Sequence, residues 1–241
     1  MTNLPTRRDE AWRYADLDAL ARLWPLPAAE QIVVAEGDTL SRVLVQDTGG
    51  VQQINLILER GAQALFYVLN CGGDYGRVDL SVTLKQGAHF SLQAAQIGGD
   101  RQTLEIVTTV THAEPDATSR QTVRSVLAGH ATGTYLGKVA VARDAQHTDS
   151  EQSVKAMLLD RTATANAKPE LEIFADDVKC AHGCAIGELD PVALFYLESR
   201  GLPPADARTL LLQAFVSGVF DGAEDAEALQ ALALAKLGAL V

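Results

Sequence analysis

The chain has 241 residues, 47% of them apolar and 21% charged, the mixture of a folded globular chain; collagen-like, mucin-like and wholly disordered classes are excluded. Twenty basic residues against 31 acidic ones leave a formal charge of −11, so nucleic acid and anionic membranes are poor partners. Three cysteines, an odd number, do not make a disulfide framework; they read as thiols of a reducing compartment, and a cytoplasmic location is expected.

In chain order, residues 1–28 read as an opening helical segment. The first eight residues run into charge at Arg7 and Arg8 with no apolar leader, and no later stretch reaches the ~18 uninterrupted apolar residues of a membrane span. Leu17, Leu20, Leu23 and Trp24 recur at helical spacing until Pro25 and Pro27 stop the pattern.

Residues 29–188 change texture. Val, Ile, Leu, Thr and Gln dominate, glycine pairs fall at 49–50, 72–73 and 98–99, and stretches such as Val78–Leu84 and Leu104–Val110 alternate with period two. This predicts strand after strand and no helix. Gly61-Ala62, Gly87-Ala88, Asp116-Ala117 and Asp144-Ala145 each set a turn residue before an alanine, at intervals of 26, 29 and 28 residues. Strand units at that period suggest a stacked β-solenoid, whose rungs share one core because none buries its own apolar face, or else a regular antiparallel sandwich.

Residues 189–241 read as a small helical domain. Asp190 is a good N-cap, Pro191 suits the first helical position and Gly201 suits a left-handed C-terminal cap. Leu194, Phe195 and Leu197 are expected to pack inward. Tyr196, Glu198 and Arg200 then lie on the other side as candidates for a partner contact, since aromatics and Arg are favoured in interfaces. A second helix starts at Pro203 and Pro204, carries Leu211, Leu212, Phe215, Val216, Val219 and Phe220, and ends near Gly222; a third spans Glu224 to Leu240. The domain reads as separable, so that a chain lacking residues 190–241 would keep its β-body folded.

Signatures of catalysis are missing: there is no glycine-rich phosphate loop, G-x-S-x-G elbow, H-E-x-x-H or C-x-x-C. His89, His112, His130 and His147 are scattered over β segments without a carboxylate or cysteine at ligand spacing, and read as strand or surface histidines. One segment differs. If Val178 to Cys184 is extended, Cys180, His182 and Cys184 project from one face. Two thiolates and an imidazole would suit zinc, iron or a transient iron–sulfur species, with a fourth ligand supplied from elsewhere or by a partner. Alternatively, the two cysteines are small buried hydrophobes and His182 is a strand or turn residue.

The run from Lys168 through Asp176-Asp177-Val178-Lys179-Cys180-Ala181-His182-Gly183, followed by Ile186 to Asp190 and Ala193 to Gly201, resembles the signature of the SufB/SufD family, the scaffold subunits of the SUF iron–sulfur cluster assembly system. Its Asp-Asp-Val-Lys-Cys-x-His-Gly form is similar to the SufD branch. Leu4 to Leu17 resembles the opening segment of that branch, and Ser119-Arg120 and Gly137 to Thr148 fit its β region. The likeness is dense over residues 4–17 and 119–220 and faint over 28–115.

The resemblance implies a mainly β fold, a right-handed parallel β-helix with a small C-terminal helical domain. It implies a non-catalytic scaffold subunit that pairs with a SufB-like chain along the β-helix and binds a SufC-type ABC ATPase through the C-terminal helices. It further implies a transient iron or iron–sulfur cluster in the complex, and no cofactor on the isolated chain. Cys180 and His182 match a Cys and a His that lie near the paired interface. Family members usually carry Ala at the position of Cys184, which makes that thiol incidental, and many SufD-type chains have a longer N-terminal helical region. The alternatives are a stand-alone metal-binding protein using Cys180 and His182, or a purely structural solenoid; a homodimer is the alternative assembly in isolation.

Overall fold

The computed structural model describes residues 4–241; Met1–Asn3, the start of the opening segment, lie outside the described residues. After a 3₁₀ turn at Glu10–Trp12 comes helix α1 (Leu17–Leu23), capped by the Asp16 carboxylate, which accepts from the backbone N–H groups of Asp18 and Ala19. Trp24, ahead of Pro25, is extended and ends the helix.

Twelve strands follow among the described residues. The first six are β1 (Glu30–Val34), β2 (Thr39–Gln46), β3 (Gly50–Leu58), β4 (Gln63–Asn70), β5 (Tyr75–Leu84) and β6 (His89–Gly98). The rest are β7 (Thr103–His112), β8 (Thr118–Leu127), β9 (Thr132–Val141), β10 (Asp149–Leu158), β11 (Thr164–Ile173) and β12 (Lys179–Gly187). Each strand pairs in parallel with the strand two places along, so odd strands build one sheet and even strands the other. The result is a two-sided parallel solenoid, and the antiparallel sandwich is excluded. Alternation alone does not separate the two, because inward and outward residues alternate with period two in both.

Left-handed backbone at Gly37, Gly61, Gly87, Asp116 and His147, with φ between +61° and +74°, carries the chain from the odd sheet into the even one. These corners stack through hydrogen bonds: the Gly61 N–H donates to Gln86 O, Gly87 to Pro115 O, Asp116 to Gln146 O and His147 to Asp177 O. Three of the four expected Gly/Asp–Ala corners are therefore in place, with Ala62, Ala88 and Ala117 fully buried behind them. The fourth is corrected. The turn at Asp144-Ala145 is longer, Ala145 is still fully buried, and His147 takes the left-handed place. At the opposite corner backbones touch: a Cβ on Gly72 would fall 1.6 Å from the Asp47 carbonyl oxygen.

The interior changes character along the axis. Early rungs are lined by Leu56, Phe66, Leu80, Val82, Phe90 and Leu92, all buried. Later rungs bury Thr108, His112, Ser119, Gln121, Ser150 and Gln152 around Tyr135.

Both outer faces are covered in part. On the odd sheet the opening segment seats Ala15, Ala19 and Leu20 against Tyr75. There the fully buried Arg77 donates to the Ala11 carbonyl (2.8 Å), Asp79 (2.9 Å) and Glu105 (3.2 Å), and the Tyr75 hydroxyl donates to Glu105 at 2.5 Å. The even sheet is covered by helices that follow α2 (Pro191–Ser199), namely α3 (Pro204–Val216) and α4 (Ala226–Gly238). Leu212, Val216, Leu229 and Leu237 pack there on Tyr67, Leu69, Ala95, Ile97 and Val126. The packing argues against a separable cap, since removing α3 and α4 uncovers this apolar face. Helix α3 is also shorter than expected: it ends at Val216 rather than near Gly222, because Gly218 at φ +82° turns the chain. Val219 and Phe220 are buried beyond its end.

Candidate functional site

Cys180, His182 and Cys184 lie on β12, the last strand of the even sheet. Among the described residues strand β12 pairs only with β10, and β11 only with β9, so each leaves one edge of backbone N–H and C=O groups without a strand partner there. The register sets Cys180 beside Ser150, His182 beside Gln152 and Cys184 beside Val154. Those three β10 residues face the interior, each at most 3% exposed. Register partners share a face, so Cys180, His182 and Cys184 all lie on the inner side of the final rung, as the alternation predicts. With no further rung above them, His182 and Cys184 are exposed and Cys180 is half-buried against the core. Burial pushes the Cys180 thiol up from its ordinary range; the Asp149 charge adds to this and the backbone of Ser150 opposes it.

Among the described residues no three His, Cys, Asp or Glu side chains are grouped so as to hold a metal ion. Cys180, His182 and Cys184 on the final rung could supply at most part of a coordination set, and a complete one would need ligands from outside the rung.

Two polar columns run down from this rung. In one, His112 Nε2 lies 2.9 Å from Ser119 Oγ, which donates to Ser150 Oγ at 3.0 Å, one rung from Cys180. In the other, the Thr108 and Tyr135 hydroxyls donate to Gln121 Oε1 at 2.8 and 3.1 Å. Gln152 Nε2 donates to the Tyr135 hydroxyl and to the Gly137 carbonyl, each at 3.1 Å. Burial drives His112 down to about 4, partly opposed by the backbone of Ala117, and drives Tyr135 up to about 12 against its hydrogen bonds with Thr108 and Gln152. Sequence reasoning misses these columns. Polar residues at alternate positions look like an outer face until the phase is known; the available signal is that Thr108 and His112 share the phase of Ile106 and Val110.

The other histidines divide. His89 is in a strand, with Nδ1 2.6 Å from Thr118 Oγ1, whereas His130 and His147 occupy turns, His147 lying 3.1 Å from Asp177.

Helix α2 has the expected ends. Asp190 Oδ1 accepts from the Val192 N–H at 2.9 Å, and Gly201 sits at φ +93° with the Leu202 N–H reaching Leu197 O. The expected inward face is corrected at one position. Leu194 and Leu197 are half-buried, but Phe195 is 71% exposed. One step of ~100° turns Phe195 off the Leu194–Leu197 face and onto a second apolar stripe with Val192 and Tyr196 that meets solvent. Tyr196, Glu198 and Arg200 are all exposed. The Arg200 guanidinium lies 5.1 Å from the Tyr196 ring centroid, while Glu198, about 200° round the helix from Tyr196, stands apart from that pair.

Residues 28–215 match the family model described as "SUF system FeS cluster assembly, SufBD core domain". An iron–sulfur cluster assembly SufBD family protein of Synechocystis is 34% identical over 167 residues, 68% of this chain and 37% of that protein. The iron–sulfur cluster assembly protein SufD of Escherichia coli is 29% identical over 185 residues, 76% of this chain and 44% of that one. The chloroplastic protein ABCI7 of Arabidopsis thaliana is 36% identical over 163 residues, 61% of this chain and 34% of its own length. The chain thus spans less than half the length of these curated relatives. Among the described residues no helix is long and apolar enough to cross a membrane.

Proposed function

The chain belongs to the SufBD core family of the SUF iron–sulfur cluster assembly system, and from that premise we propose that it is a non-catalytic, SufD-like scaffold subunit that pairs with a SufB-like chain and engages a SufC-type ABC ATPase. The observation that carries this reading is the open final rung. It joins two strand edges without partners to a thiol and an imidazole on the face that a second solenoid would cover.

The chemistry follows from that geometry. Cys180 and His182 offer one sulfur and one nitrogen to iron or a nascent cluster, which is cargo in transit. The partner completes the coordination and excludes water. Because burial favours the neutral thiol, the Cys180 proton leaves when iron arrives, so loading releases a proton. The stripe of Val192, Phe195 and Tyr196, with Arg200 stacked on Tyr196, has the composition of a contact surface and is assigned to the ATPase. A reducing compartment, the cytoplasm in our reading, suits three free thiols.

The test is cluster loading in the assembled complex. The isolated chain should purify nearly metal-free and colourless. Cys180→Ser and His182→Ala should each lower the cluster content of the complex severalfold while leaving the isolated chain folded. Cys184→Ala should do neither. Full loading by both of the first two variants would defeat the assignment, and a loss confined to Cys184→Ala would move it to the other thiol.

A further inference from the structure

We infer that Gln152 is a positioning residue for His182: its side-chain oxygen accepts a hydrogen bond from one ring nitrogen of His182 and leaves the lone pair of the other nitrogen facing out of the open end of the solenoid. The inference rests on the proposed role of His182 for its purpose, though not for its geometry.

Gln152 and His182 are register partners on β10 and β12 and face the same way. Gln152 is 1% exposed, and both hydrogens of its amide are committed, to the Tyr135 hydroxyl and the Gly137 carbonyl. Those bonds fix the sense of the amide, because turned over it would set its oxygen against the carbonyl oxygen of Gly137, two acceptors with no hydrogen between them. The oxygen so fixed is buried and has no hydrogen-bond partner among the described residues. A buried acceptor left empty is costly, which favours any donor able to reach it. The next rung brings His182 to it, an exposed side chain free to turn about its two torsions.

The direction of the column fits. The Tyr135 hydroxyl donates to Gln121, and Gln152 donates to that hydroxyl, so an N–H from His182 into Gln152 continues one head-to-tail chain. An imidazole that gives its N–H to a fixed oxygen is held in one tautomer and one orientation, the arrangement that presents the remaining nitrogen to a metal.

The tautomer is measurable on the full 241-residue chain, labelled with ¹⁵N, by long-range ¹H–¹⁵N correlation of the His182 ring at pH 8. One tautomer should exceed the other at least tenfold in the wild type. Gln152→Met, of similar length but lacking the acceptor, should return the ring to the mixture seen for histidine in a free peptide. Gln121→Met, which cuts the same column one rung lower, should leave the ring unchanged. A mixed His182 ring in the wild-type chain overturns the inference whether or not the variants fold. It is equally overturned if Gln121→Met scrambles the ring as much as Gln152→Met, since general loosening of the core would then explain both. Cluster loading separates this inference from the scaffold role: a single tautomer with full loading by His182→Ala keeps the orientation and removes the role, and a mixed ring with loading lost in His182→Ala does the reverse.

Discussion

The guanidinium carbon of Arg77 lies 3.8 Å from the centroid of the Trp12 ring, fastening the opening segment to the outer face of the odd sheet. Burial alone would loosen the Arg77 proton, but the carboxylates of Glu105 and Asp79 outweigh it and hold the pKa above its usual value. Arg77→Met strands the fully buried Glu105 without its counter-charge. Breaking a buried pair from one side costs about 3–5 kcal/mol. Arg77→Met should lower the urea midpoint accordingly and speed proteolytic cleavage within residues 4–26. Trp12→Ala should cost less, since a desolvated cation–π contact contributes about 2 kcal/mol. A wild-type midpoint for Arg77→Met would show that the stack does not fasten the segment.

His112 sets a pH dependence. Its folded pKa, about 4, lies below the ordinary 6.5, so the unfolded chain takes up a proton first as the pH falls. The stability it contributes is fully present above pH 6.5 and is lost as the pH falls from there toward 4, by about 3 kcal/mol in all. Chemical denaturation at pH 7.5, 5.5 and 4.5 should show this slope in the wild type and a shallower one in His112→Gln. Parallel slopes would assign the acid sensitivity to other groups.

The corners of the solenoid should respond to alanine unequally. Gly61 sits at φ +65° with open space around its Cα, so Gly61→Ala meets only backbone strain, about 1–2 kcal/mol. Gly72→Ala drives a methyl group into the backbone of Asp47 and should yield little or no folded protein. Similar melting temperatures for the two variants would contradict the close approach.

Two helical residues divide by role. Leu212 is fully buried on the even sheet, and Leu212→Ala should cost about 2–5 kcal/mol. Phe195→Ser, at an exposed position, should stay within about 0.5 kcal/mol of wild type while weakening retention of the proposed ATPase partner. Truncation after Asp190 should give a scattering, associating product, because Tyr67, Leu69 and Ile97 lose their cover. A monodisperse, folded truncation would restore the separable cap.

Much of this was legible from residues alone: strands without helices over the β-body, three of the corners, the Asp190 and Gly201 caps, and the common face of Cys180, His182 and Cys184. What escaped has a common cause. Arg77, His112 and Gln152 are polar residues whose burial depends on partners 7 to 66 positions away, from Ser119 beside His112 to Ala11 beside Arg77, and a polar residue in the apolar phase of a strand does not announce those partners. Phe195 escaped for the opposite reason. Two apolar stripes share one short helix, and only packing decides which is covered.

The passage from aliphatic to polar lining along the axis has a consequence for motion. In a solenoid each rung is held by its neighbours, so stability is close to a sum of local contributions and opening begins wherever that sum is smallest. The aliphatic rungs around Phe66 and Leu80 are buried between neighbours on both sides, while the final rung, with its exposed His182 and Cys184, has among the described residues a strand neighbour on one side only. Amide hydrogen exchange should therefore be slowest in β4 to β6 and quicken toward the end strands, β1 and β2 at one end and β11 and β12 at the other. The end that carries the thiol and the imidazole is thus an end that frays, and a partner docking there would halt the fraying as it arrives.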